Sequence, residues 1–197
     1  ITTTGNWDNT AIWSGGTIAD VIGEDVVFSG GGAKTATVRS GFNYTVGNVD
    51  LGGNGNLSIV GTLNIGASGS PRNLSADNNG DVAVSGTLII WGDLIVNNSL
   101  TWTISGTVII KGNVVMDNNA SLTVSGNLTI DGDFTGGNNT QVTNSGNIAV
   151  GGAVTVGGGT TSLVNSGTFT AGSCSPPASG FCGNVDVPQP VTLLFFH

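Results

Sequence analysis

The dipeptide Ser-Gly recurs at Ser85-Gly86, Ser105-Gly106, Ser125-Gly126, Ser145-Gly146 and Ser166-Gly167, at spacings of 20, 20, 20 and 21 residues. Val60-Gly61 holds the same place 25 residues before Ser85, and Ser40-Gly41 lies 20 residues earlier still. A fixed period of this length marks one small unit that is copied and stacked, because a single 20-residue unit cannot bury its own apolar face.

Inside one period the apolar residues alternate in three short groups, which is the signature of strands rather than helices. From Ser85 they are Leu88 and Ile90, then Leu94 and Val96, then Trp102 and Ile104. The next unit repeats the pattern with Val108 and Ile110, Val114 and Met116, Leu122 and Val124. The chain is therefore expected to be all-β, a single parallel β-helix (β-solenoid) with about 20 residues and three short strands per coil. Seven to eight coils would make a rod about 35 Å long at the ~4.8 Å spacing of strands. Parallel crossovers favour the right hand. Gly92, Gly112, Gly132 and Gly152 share one corner, where a bend with unusual φ is expected. Asn98, Asn118 and Asn138 share another, where stacked amides are expected to form a ladder. The spacing does not fit hexad-based helices, calcium-binding nonapeptides or leucine-rich repeats.

Three regions follow. Residues 1–39 hold bulky apolar residues out of register and read as a capping β region; 40–173 form the solenoid body; 174–197 hold a cysteine loop and a terminal strand. The acidic group Asp20, Glu24, Asp25 in the cap reads as a solvated turn.

Charge narrows the partners. Only 16 of 197 residues are charged, the net charge is −8, and the four cations Lys34, Arg39, Arg72 and Lys111 are scattered. A phosphate backbone or an anionic membrane needs clustered cations, so no nucleic-acid partner and no membrane insertion are expected. Gly (34 residues), Asn, Ser and Thr replace the missing charge.

Cys174 and Cys182, eight residues apart around a Pro-Pro pair, are the chain's two cysteines and read as a disulfide. A bridge points to an oxidising, extracellular or cell-surface location, with any signal peptide already removed. Only His197 could join the cysteines as a ligand, so no structural zinc is expected.

The segment Pro190-Val191-Thr192-Leu193-Leu194-x-Phe196 resembles the Leu-Pro-Val-Thr/Glu-Leu-Leu-x-Phe stretch of secreted Bacteroidetes surface proteins, with Gln189 in place of the usual Leu. In those proteins the stretch leads from a repetitive ectodomain into a C-terminal β-sandwich used in type IX secretion. The resemblance covers about ten residues and implies export and surface attachment; the family's following Trp- and Glu-containing strand is not in this sequence.

Catalysis finds little support. Glycoside cleavage needs two carboxyl groups about 5–10 Å apart. Asp93 and Asp133 share one repeat column with Asn113 between them, Asp117 lies on another edge, and Lys111 and Asp131 form a neighbouring column suited to a cross-strand ion pair. Uniform short corners leave no groove, the insertion around Arg72 brings no carboxylate, and the Ser-Gly pairs are corners rather than nucleophile elbows. No catalytic residue, cofactor or metal is expected. The Asn-x-Ser/Thr triplets read as by-products of turns.

Outward columns remain. Ile89 with Ile109, and Ile95 with Val115, form apolar stripes that a chain segment or a second copy could cover; the terminal residues Val191, Leu193, Leu194, Phe195 and Phe196 are the matching segment. The leading expectation is a secreted structural protein, a self-associating filament subunit or the stalk of a surface adhesin. The alternative is a glycan- or ice-binding module using the column Thr103, Thr123, Thr143 beside Thr101, Ser121 and Gln141, interrupted at Ser58 and Ala83. A polysaccharide lyase or hydrolase ranks last.

Overall fold

The computed structural model describes residues 1–29, 31–77, 79–176 and 180–188. It is a β-solenoid of about seven turns at roughly 20 residues per turn, half of it strand. Each turn contributes one strand to each of three faces. The first face stacks Lys34–Val38, Gly55–Ile59, Asp81–Val84, Thr101–Ile104, Ser121–Val124, Gln141–Asn144 and Ser162–Asn165 in parallel. The second begins at Asn43–Val46 and Thr62–Ala67, and the third at Val49–Asp50 and Leu74–Ala76. These two faces merge into one sheet because Asn147–Val156 runs through their shared corner unbroken. Lys34–Val38, which spacing put in the cap region, is thus already a full strand of the first face.

Alternation decides which side chains enter the core. Thr101–Ile104 buries Trp102 and Ile104 and exposes the two threonines. Because the period equals one turn, each inward residue lands on an inward residue of the next rung. Leu57, Val82, Trp102, Leu122, Val142 and Leu163 form one column. Tyr44, Leu63, Leu88, Val108, Leu128, Ile148 and Phe169 form another. Burying each large aliphatic chain is worth about 1.5–3 kcal/mol, and the columns repeat that gain at every rung.

The Ser-Gly period has a steric cause. Ser105 N–H and Gly106 N–H both donate to the carbonyl of Val84 in the rung below, at 2.9 and 3.0 Å. This double bond to one acceptor pulls the two backbones together, and a Cβ on Gly106 would stand 2.1 Å from the Gly86 oxygen. Only glycine fits that approach. The expectation of unusual φ at Gly92, Gly112, Gly132 and Gly152 needs correction, since none of them is left-handed. They too are glycine because of contact: a Cβ on Gly112 would lie 2.3 Å from the Asp93 Oδ1. The left-handed corner lies elsewhere, at Asn79, Ser99, Asn119 and Asn139, with φ between 44° and 61°. Asn tolerates that conformation better than most residues.

Short closing segments lie at both ends of the rod, although Asn43–Val46 and Ser162–Asn165 stay edge strands, each paired on one side among the described residues. At the N-terminal end Gly5–Asn6 pairs with the first face and Val26–Val27 with the third. Trp7 is fully buried there, its Nε1 donating to the Ala19 carbonyl at 2.9 Å. At the C-terminal end a disulfide joins Cys174, on the last strand, to Cys182 in a short 3-10 turn. Asp186 then bonds to the last rung, its N–H donating to the Phe169 carbonyl at 2.7 Å.

Candidate functional site

The column that sequence offered as a carboxylate pair is a structural spine. Asp25 Oδ1 accepts the backbone N–H of Asn48 at 2.7 Å, Asn48 Oδ1 that of Asn73 at 3.0 Å, and Asn73 Oδ1 that of Asp93 at 2.8 Å. Asp93 then serves Asn113 at 2.7 Å, Asn113 serves Asp133 at 2.9 Å, and Asp133 serves Ala153 at 2.8 Å. Between the second and third faces the chain turns, and the corner amide finds its acceptor in the Asp or Asn of the rung below. Six successive bonds tie seven rungs, each contributing about 1 kcal/mol. A carboxylate holding a neighbour's N–H in this way is fixed in place, which suits a brace better than proton transfer.

The amide ladder expected at Asn98, Asn118 and Asn138 lies one position later. Among the described residues no side-chain bond joins those three. Asn139 Nδ2 instead donates to Asn119 Oδ1 at 3.1 Å, and Asn139 Oδ1 accepts from the Thr160 N–H at 3.1 Å and hydroxyl at 2.8 Å. The cause is the left-handed backbone at Asn119 and Asn139. Asn98 and Asn118 are half-buried, and the Asn118 backbone carbonyl accepts from Ser99.

Lys111 Nζ donates to Asp131 Oδ2 at 2.9 Å across one rung, as the spacing predicts. In the cap, Glu24 Oε2 accepts the backbone N–H of Asp20 at 3.0 Å within one turn, while Asp25 begins the spine. Arg39 forms an ion pair with Asp8 and lies over the Phe42 ring, its centre 4.8 Å away. The guanidinium, bonded to the Asp8 carboxylate, holds its pKa below the usual range.

Ile89 stands beside Ile109 and Ile95 beside Val115, on two different faces, all facing outward and half-buried except for Val115, which is exposed. Half-buried Trp91 sits at the corner between them. Both stripes end at polar or small residues, Asn64 and Thr129 on one face, Ser75 and Thr135 on the other. The partner segment named for them, Val191, Leu193, Leu194, Phe195 and Phe196, lies outside the described residues.

On the first face, Thr101, Thr103, Thr123, Gln141 and Thr143 are exposed and Ser121 is half-buried. Sequence reasoning missed a recess there of about 190 Å³, lined by Thr35, Asn56, Leu57, Ser58, Asp81 and Ala83. Its signal was present in the break of the Thr column at Ala83, with a carboxylate two residues earlier. Among the described residues no cluster of three His, Cys, Asp or Glu could hold a metal, and no helix is long and apolar enough to cross a membrane. Comparison with protein-family models, curated proteins and solved structures gives no match to this chain.

Proposed function

We propose that this chain is a secreted structural module, the rigid stalk or spacer of a cell-surface protein. The observation that carries the reading is the continuous spine from Asp25 to Ala153, which spends the side chains of Asp93 and Asp133 on rung-to-rung bonds. A rod braced in every turn holds its length, and length is what a spacer supplies. A filament subunit stacked head to tail is the second reading, favoured by the edge strand Ser162–Asn165, which among the described residues pairs on one side alone. The Cys174–Cys182 bridge and the resemblance of Pro190–Phe196 to type IX cargo support export.

The test has two arms. Antibody raised against the purified chain should label intact cells of the producing organism, and labelling only after permeabilisation would overturn export. Electron microscopy and sedimentation at high concentration should show short monomeric rods, and long filaments would replace the stalk with a filament subunit.

A further inference from the structure

The carboxylates of the solenoid body divide unevenly. Asp93 and Asp133 hold the spine, Asp131 pairs with Lys111, Asp50 accepts from the Gly52 N–H, Asp77 from Asn97 Nδ2 and Asp117 from the Asn118 N–H. Asp81 alone among these has no bonded partner in the described structure, and it borders the recess on the first face. That recess exists because Ala83 stands between Ser58 and Thr103 in the outward column, one side chain short of its neighbours.

The lining has a consistent chemistry. Asp81 is exposed at the rim and presents two acceptor oxygens. Asn56 is held in position, its Oδ1 accepting the Asp81 N–H at 2.9 Å and its Nδ2 donating to Thr35 Oγ1 at 3.4 Å, which leaves one amide hydrogen for a ligand. The Ser58 hydroxyl adds a group that both donates and accepts, and the Ala83 methyl supplies a small apolar floor, while Leu57 turns its side chain into the core. A carboxylate accepting from adjacent hydroxyls, an amide donor beside it and a small apolar floor together recognise a sugar ring, whose C–H face is apolar and whose rim is hydroxyl. At about 190 Å³ the recess is smaller than the roughly 300–1,000 Å³ of a drug-sized pocket, so it holds one ring.

We propose that the first face binds a neutral saccharide, with Asp81, Asn56 and Ser58 contacting one sugar in the recess over Ala83. The charge of the chain, −8, and the carboxylate itself repel acidic glycans. A cation is a poor occupant, because one carboxylate faces the recess and the Asn56 oxygen is already engaged. Beyond the recess, exposed Thr103, Thr123 and Thr143 continue at one rung each, about 4.8 Å apart, giving an extended chain hydroxyls to follow.

Affinity electrophoresis of the folded chain in gels containing soluble glucans, mannans, xylans or galactans tests this, with alginate and pectate as acidic controls. At least one neutral polymer should retard the chain. Asp81→Ala should weaken retardation about tenfold and Ala83→Trp, which fills the recess, should abolish it. Asp131→Asn, away from the first face, should leave retardation unchanged. Circular dichroism melts establish that the variants fold, since positions 81 and 83 both face solvent. No retardation by any neutral polymer, retardation by acidic polymers only, or variants that behave like the parent chain would overturn the site. None of these outcomes bears on the stalk reading, whose tests are location and assembly.

Discussion

The two ends of the rod are closed by different balances of the same forces. At the N-terminal end the closure is aromatic: Trp7 meets Trp13 edge-on with centroids 5.0 Å apart and stacks on Tyr44 at 6.1 Å. Each indole N–H also finds a carbonyl, Trp7 that of Ala19 and Trp13 that of Trp7, both at 2.9 Å. At the C-terminal end the core column itself turns polar. Where Val84, Ile104 and Val124 stand in earlier rungs, Asn144 stands buried, and Asn165 follows it. Asn144 Nδ2 donates to Asn165 Oδ1 at 2.9 Å, and Asn165 Nδ2 donates to the Asn184 carbonyl at 3.0 Å, so a chain of amides leads from the core to the closing turn. The Cys174–Cys182 bridge then ties that turn to the last strand. Both ends bury aromatic area, since Phe181 meets Phe169 edge-on at 6.1 Å in the C-terminal closure. The C-terminal end adds a chain of amides and a covalent link, which fix position.

This contrast ranks the effects of cutting each end. Trp7→Ala should be the most damaging, because it removes a fully buried indole, both ring contacts and the partner of the Ala19 carbonyl. A loss of about 3–5 kcal/mol is expected in denaturant unfolding. In a stacked fold the damage should begin locally, so hydrogen exchange should rise first in residues 1–50 and spare the last rungs. Uniform exchange along the rod would show that the N-terminal closure does not act as a separate end.

Replacing both Cys174 and Cys182 with Ser should cost less, about 2–3 kcal/mol for a loop this short, by chain-entropy reasoning. The amide chain through Asn144, Asn165 and Asn184 should persist and keep the closing turn in place. Exchange should therefore rise in residues 180–188 while the first rungs stay protected. A larger loss than that of Trp7→Ala would reverse the ranking of the two ends.

The body of the rod was legible because its geometry is periodic: Ser-Gly at one corner and alternating apolar pairs are enough to give strands, faces and register. The Asp25-to-Asp133 spine was harder to see. Its members mix Asp with Asn, and its first steps are 23 and 25 residues before the period settles at 20. Two of its carboxylates resemble a catalytic pair until their bonds to backbone N–H groups are known. The amide ladder lies one residue later than expected, because the two members of the adjacent Asn-Asn pairs at 118–119 and 138–139 look alike in sequence. Trp7 and Trp13 lie outside any period, so their pairing emerges only from tertiary contact. Asn144 was visible as a polar residue at an apolar position, yet its partners come from the next rung and from the closing turn.

Asn113→Ala cuts the spine midway between the two ends. It removes the acceptor of the Asp133 N–H and the second donor to Asp93, at 2.9 and 3.3 Å. A loss of about 1–2 kcal/mol is expected in denaturant unfolding, less than either end variant costs. An effect as large as that of Trp7→Ala would make the spine, rather than the closures, the chief source of stability.

The smallest effect separates the ends by pH. Tyr44 is the chain's single tyrosine, and it lies in the aromatic closure. Burial raises its pKa above the ordinary 10, the negative charge of Asp8 raises it further, and Arg39 opposes both. Folding therefore favours the neutral phenol. Its contribution is complete below the unfolded pKa near 10 and is lost as pH climbs through the higher folded value. Phenolate absorbance should show one titration above pH 10, moving down toward 10 in Asp8→Asn and up in Arg39→Ala. Over the same range hydrogen exchange should loosen the N-terminal rungs first, because no such phenol lies in the C-terminal closure. Titration at or below pH 10 would mean that Tyr44 is not enclosed, and the N-terminal end would then be held by Trp7 alone.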